Sequence, residues 1–180
     1  MTSRLLEKYR KEIVPALRSQ FKYDNIHSVP RVMKVTVNTG IGKIVKDDKL
    51  IKKIEHDLAK ITGQKPSVRN AKKSIAGFKL REGTPVGYMV TLRGTRMYDF
   101  IDRLISLALP RTRDFQGLSD QSLDAAGNLS IGIKEQNIFP EVSYESLKDI
   151  FGLQVTIVTN AGSKEKGLAL LKMIGFPIKS

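Results

Sequence analysis

Four short runs, VMKVTVN, VGYMVTLRG, LSIGIKE and LQVTIVT, alternate apolar with polar residues, and helical patterns lie between them. A period of two sends one set of side chains to a covered face and the other set to the opposite face. In the first run Met33, Val35 and Val37 are predicted to point one way and Lys34, Thr36 and Asn38 the other. In the second, Val86, Tyr88, Val90 and Leu92 oppose Met89, Thr91 and Arg93. Strands buried on both faces would read as continuous apolar runs, so the pattern calls for an open sheet with one uncovered face. The predicted fold class is α+β: a single two-layer domain with a mainly antiparallel open sheet of about five strands, helices packed on one face and a polar face left free.

The intervening segments supply the helices. Leu6, Tyr9, Ile13 and Leu17 fall at helical spacing, with Pro15 expected to bend or restart that helix. Residues 47–62 repeat apolar positions at Ile51, Ile54, Leu58 and Ile61 and stop at Gly63; a further strand is expected to begin near Lys65. A helix from about Thr95 uses Met97, Phe100, Ile101, Leu104, Ile105 and Ala108 and ends before Pro110. A closing helix opens at Ser163 and stops at Gly175, with Pro177 beyond. The stretch 111–128, RTRDFQGLSDQSLDAAGN, is rich in turn formers and lacks a sustained period, so it reads as a long polar loop with few apolar anchors and a mobile tip. No repeat and no Pro/Gly/Ser-rich linker divides the chain, which predicts one domain over 1–180.

Composition narrows the function. Lys+Arg 31 against Asp+Glu 18 gives a net charge of +13, which favours a polyanionic partner. The cations are spread from Arg4 to Lys179 rather than gathered on one helix face, so a folded nucleic acid fits better than a membrane surface. No stretch comes near the roughly 18 consecutive apolar residues of a membrane span, and MTSRLLEKYRKEIV lacks a secretory apolar block, which predicts a cytoplasmic protein. The absence of cysteine removes disulfides, thiol catalysis and cysteine-ligated zinc, and suits a reducing compartment.

Catalytic motifs fail on their own terms. His27 and His56 have no partners at metal-ligand spacing. NTGIGK at 38–43 has the look of a phosphate loop, but Val37 stands where that motif needs glycine and Ile44 where it needs serine or threonine. Val45 likewise replaces the third glycine of a dinucleotide loop. No enzyme, metal or cofactor is expected.

The outward positions Lys34, Thr36, Asn38, Thr91, Arg93, Gln154 and Thr156 are hydrogen-bonding side chains without acids, a composition suited to an RNA platform. Between two strands lies NAKKSIAGFKLREGTPVG, where Lys72, Lys73, Lys79 and Arg81 are interleaved with Ile75, Phe78 and Leu80. Together with GQKPSVRNAKKSIAGFKLREGTPVG, the segments TLRGTRMYDFIDRLISLALPRTRDFQGL and GNLSIGIKEQNIFPEVSYE make the chain resemble the ribosomal protein L5 family of the large subunit, from about Tyr9 to Pro177. The resemblance implies an α+β sheet covered on one side by helices. It also implies binding to 5S rRNA, attachment to the large-subunit rRNA, a contact with the elbow of peptidyl-site tRNA, and a bridge to a small-subunit head protein, made as a monomer within the ribosome.

Carried over to this sequence, the 5S rRNA contacts fall on Lys34, Thr36, Asn38, Gln64, Lys65 and Thr91, and the polar face adds Arg93 and Thr156. Arg111 and Arg113 are expected to hold large-subunit rRNA phosphate. The segment 72–83 matches the tRNA-facing loop, with Lys72, Lys73, Ser74, Phe78, Lys79 and Arg81 as contacts; Ile75 and Phe78 are expected to anchor that loop rather than stack on a base. Asn70 and Gln116 stand where arginine is common in the family, and Leu123 and Leu129 where aromatics are frequent. The competing readings are a general RNA-binding or RNA-chaperone module outside the ribosome, an RNA-modifying enzyme on a similar sheet, and a protein-interaction module whose charge aids solubility.

Overall fold

Pro15 and Pro110 shape the helical segments of this chain in the same way. In the computed structural model, which describes residues 3–42, 47–78, 80–113, 115–142 and 150–179, helix α1 (Arg4–Lys8) widens into a π turn at Tyr9–Ile13 and continues as α2 (Val14–Phe21), with Pro15 in its first turn. A proline brings no N–H and crowds the carbonyl one turn back, so the register widens just ahead of it and the helix survives. Strand β1 (Val32–Gly40) follows, then α3 (Asp48–Thr62), β2 (Ser67–Asn70) and β3 (Pro85–Leu92). Helix α4 (Gly94–Arg103) repeats the earlier pattern: a π turn at Leu104–Ala108 precedes a 3-10 turn, Leu109–Arg111, that holds Pro110. Strands β4 (Leu129–Ile133) and β5 (Leu153–Thr159) and helix α5 (Lys164–Ile174) complete the order. The expected caps are present, with Ser163 accepting from the Lys166 N–H and Gly63 and Gly175 ending their helices in the left-handed region; Asp47, which accepts from the Leu50 N–H, adds a further one.

The strands form one open five-stranded sheet in the order β2-β3-β1-β5-β4, and the fold is α+β as the alternation predicts. Strands β2 and β3 pair antiparallel, with Ser67 opposite Met89 and a register shift between Arg69 and Asn70. At the far end of β1, the Thr39 hydroxyl donates to the Gly152 carbonyl at 2.7 Å, just before β5 begins. At its near end, the Asn160 side chain accepts from the Arg31 N–H at 2.6 Å, just after β5 finishes, so these two strands also run in opposite directions. All four residues of β2 are exposed, as suits a sheet edge.

The chain divides into two compact units: Met1–Val35, Leu92–Ile131 and Thr156–Ser180 in the first, Thr36–Thr91 and Gly132–Val155 in the second. In the first, α1 packs on α4, with the Tyr9 and Tyr98 rings 6.1 Å apart and Arg4 paired to Asp102 at 2.7 Å. Its core holds Leu17, Phe100, Ile101, Leu104, Leu170 and Leu171. In the second, Ile54, Leu58 and Ile61 of α3 are fully covered, as are Val37, Val90 and Val155 from the strands. Each such side chain contributes about 1.5–3 kcal/mol by burial, before the cost of ordering it.

Three expectations need correction. Met33 is 40% exposed while Val32 is buried, so the alternation of β1 slips at Met33–Lys34 and is in phase only from Val35 onward. Ile51 and Ile105 are half-buried at the margins of their helices. The stretch 111–128, read as a polar loop with few apolar anchors, is more firmly held than that: Leu118 and Leu123 are buried, a 3-10 turn spans Asp120–Ser122, and Leu118 bridges to Ile178.

Candidate nucleic-acid interface

In the second unit, the outward positions of the strands are mostly polar and are exposed or half-buried. Along β1, Thr36 is half-buried and Asn38 exposed, while Val35, Val37 and Thr39 turn inward. On the neighbouring β3, Thr91 and Met89 face outward between the buried Tyr88, Val90 and Leu92. Gly87 in β3 is obligatory: a Cβ there would sit 2.7 Å from the Thr39 carbonyl oxygen, so only glycine lets the two backbones approach this closely.

Gln64 reaches this surface because α3 ends at Gly63 in a left-handed turn. The Thr62 hydroxyl, donating to the Leu58 carbonyl at 2.7 Å, fixes the last helical turn. The Gln64 amide then donates to the Thr91 carbonyl at 3.4 Å, and Lys65 follows, exposed. Thus Gln64 and Thr91 are brought into direct contact, with Thr36 and Asn38 on the adjacent strand. Hydroxyls and amides without carboxylates suit ribose hydroxyls and base edges, and Lys65 supplies a phosphate-seeking charge. Gln154 of β5 and Lys134, just past β4, are exposed in the same unit.

In the first unit, Arg93 is exposed, Lys34 and Thr156 are half-buried, and the Thr156 hydroxyl lies 3.2 Å from that of Ser130 on β4. The Ser130–Thr156 pair escapes a strand-by-strand reading because only pairing reveals it. Arg111 and Arg113 are exposed around the end of the 3-10 turn and, among the described residues, have no acidic partner.

The segment 71–84 has a different construction. Its base is closed by Ala71 N–H to the Thr84 carbonyl at 2.8 Å and Gly83 N–H to the Ala71 carbonyl at 3.0 Å. Nearer the tip, Ile75 and Leu80 exchange backbone bonds of 2.9 and 3.1 Å. The Ser74 hydroxyl accepts from the Glu82 N–H at 2.9 Å, so Ser74 braces the loop rather than standing free. Lys72, Lys73 and Arg81 are exposed along it, whereas Lys79 lies outside the described residues, as do Lys43, Ile44 and Val45 of the glycine-containing turn. Phe78 is 80% exposed and Ile75 45% exposed, so neither anchors the loop, contrary to the sequence reading.

No cluster of His, Asp or Glu with the geometry to hold a metal ion occurs among the described residues, and no described helix is long and apolar enough to cross a membrane.

Two family models match the sequence: one described as ribosomal protein L5 over residues 25–81, and one as the ribosomal L5P family C-terminus over 85–178. The sequence is 56% identical over 179 residues to the large ribosomal subunit protein uL5 of Chloroflexus aurantiacus, covering 99% of each chain. It is 54% identical over 180 residues to the protein of that name from Synechocystis sp., covering 100% of both, and 53% identical over 179 residues to that of Microcystis aeruginosa.

Proposed function

We infer, since this chain belongs to the ribosomal protein L5 family, that it binds 5S rRNA through the uncovered sheet face and helps to attach that RNA to the large-subunit rRNA. Family membership makes it a structural ribosomal protein and not an enzyme. The observation that carries the RNA reading is the chemistry of the outward positions: Thr36, Asn38, Gln64, Lys65 and Thr91 offer hydrogen bonds and positive charge, with no carboxylate among them. Lys34, Arg93 and Thr156 extend the same chemistry along their strands, and Arg111 and Arg113 take rRNA phosphate.

The 72–83 loop contacts the elbow of peptidyl-site tRNA, with Lys72, Lys73, Lys79 and Arg81 meeting phosphates and Phe78 presented to the RNA rather than to the protein's own core. The exposed side chains of 111–128 form the bridge to a small-subunit head protein. In this reading the protein works as a monomer within cytoplasmic ribosomes.

Two measurements on purified components test the reading. A hydroxyl-radical footprint on 5S rRNA should show protection that is lost when Asn38 and Thr91 are both replaced by alanine, with the fold retained. Binding should also weaken steeply with salt, as phosphate neutralisation requires. Full affinity in the double variant would remove the sheet face from the site.

A further inference from the structure

The polar face of the second unit continues past Thr91 toward the sheet edge, where none of the contacts above lies. Strand β2 sits beside β3, and its register sets Ser67 opposite Met89 and Arg69 opposite Gly87. Partners across an antiparallel pair share a face, so Ser67 and Arg69 stand on the outward side with Met89 and Thr91, while Val68 goes with the buried Tyr88. Met89 is the next outward residue to Thr91, whose carbonyl accepts from the Gln64 amide at 3.4 Å. From Gln64 through Thr91 and Met89 to Arg69 the face is continuous, and the outward positions of β2 and β3 carry no carboxylate.

Arg69 is exposed, but its side chain has a seat. Gly87 opposite it offers no side chain to pack on, and the guanidinium reaches two residues along β3, where Nη2 donates to the sulfur of the half-buried Met89 at 3.7 Å. A thioether is a weak and neutral acceptor, so it orients a guanidinium without cancelling its charge and engages only one of its five donors. A carboxylate in the same place would hold the group harder and neutralise it. A cation kept only to charge a sheet edge needs no such partner.

We propose that Arg69 is a further RNA-contacting residue, its guanidinium taking a backbone phosphate at the β2 margin of the sheet face, and that Met89 is the residue that positions it. This rests on the reading of the face as the RNA site and extends that site by one strand. The chemistry of the place favours phosphate over a base. The planar fork matches two phosphate oxygens, and such contacts fix the register of a bound RNA while the hydroxyls and amide of Thr36, Asn38 and Thr91 meet ribose and base edges.

The test uses the whole protein and purified 5S rRNA, with affinity measured over a range of salt concentrations. Arg69→Gln should weaken binding roughly 10-fold, as loss of a charge-assisted hydrogen bond does, and lower the slope of log affinity against log salt by about 1. Arg69→Lys should keep the slope and lose roughly 2–5-fold, because the charge remains and the fork does not. Met89→Leu keeps the apolar volume and removes the sulfur; it should cost roughly 2–3-fold when Arg69 is present and nothing in the Arg69→Gln background, a coupling that a merely structural methionine would not show. Melting temperatures of the Arg69 variants should match that of the parent, since the side chain is exposed. Unchanged affinity or an unchanged salt slope in Arg69→Gln would overturn the phosphate contact, and an equal effect of Met89→Leu in both backgrounds would overturn the positioning role. Weak binding by Asn38→Ala with Thr91→Ala beside full affinity in Arg69→Gln would sink this proposal and leave the sheet face standing, whereas the reverse pattern would support Arg69 and remove the centre of the face.

Discussion

The segments 71–84 and 111–128 both look like functional loops in the sequence, and they are built on opposite principles. The first holds its shape through backbone bonds and the Ser74 hydroxyl, and leaves Ile75 and Phe78 in solvent. The second adds buried side chains to its backbone bonds: Leu118 and Leu123 are buried, and Leu118 also exchanges backbone bonds of 2.8 Å with Pro177 and Lys179. Lys164 of α5 pairs with Asp120 at 3.0 Å. Gly127 lies so close to Gly167 of α5 that a Cβ on Gly167 would sit 2.5 Å from the Gly127 Cα. A loop that must present apolar groups cannot use them for its own support, so it is shaped by the main chain. A loop that buries them gains stability and loses freedom.

The sharpest way to break this comparison is to remove the buried anchor. Leu123→Ala should cost about 3 kcal/mol in chemical denaturation, because the cavity left behind adds to the lost transfer energy. A cost below about 0.5 kcal/mol would show that the loop is not anchored there. Gly167→Ala should follow at about 2 kcal/mol, since the new methyl meets Gly127 backbone, which is a poor yielding partner, although alanine favours the helix. In the other loop, Ser74→Ala should cost about 0.5–1 kcal/mol and speed amide exchange at Glu82, whose N–H loses its acceptor. Phe78→Ala should change stability by less than about 0.5 kcal/mol while weakening any RNA contact made by the tip.

The smallest effect concerns pH. Asp124 holds the turn 124–128 by accepting from the Asn128 side chain and from the N–H groups of Asn128 and Ala126, and these bonds hold its carboxyl below the usual range. A lowered folded-state pKa stabilises the protein above the ordinary carboxylate range and loses that contribution as pH falls through the lowered value. Asp124→Asn should therefore flatten the acid side of the stability curve slightly, and an identical curve would show that the turn closes without the charge.

The strands were legible because a period of two is a strong signal wherever one face is covered, and Val35, Val37, Val90 and Leu92 lie where it puts them. Its phase was not legible at Val32–Met33, where two apolar neighbours compete for the inward position and only packing decides. The π turns left no trace except the prolines that follow them. Leu118 and Leu123 fit no helical or strand period, so a periodicity argument could not find them as anchors. On the polar face, Gln64 was identified by resemblance, but its bond to the Thr91 carbonyl depends on the turn at Gly63. Phe78 shows the limit of composition, since an apolar residue among cations reads equally well as anchor or as bait until its exposure is known.

The edge strand β2 bears on the life of the protein before it meets RNA. A newly made chain with an open sheet risks recruiting copies of itself along the unpaired edge, the route to fibres. Here the edge is only four residues long, carries Arg69, and changes register between Arg69 and Asn70, which twists the backbone out of line for a second copy. At this margin of the sheet, protection against self-pairing is built into the geometry of the strand itself.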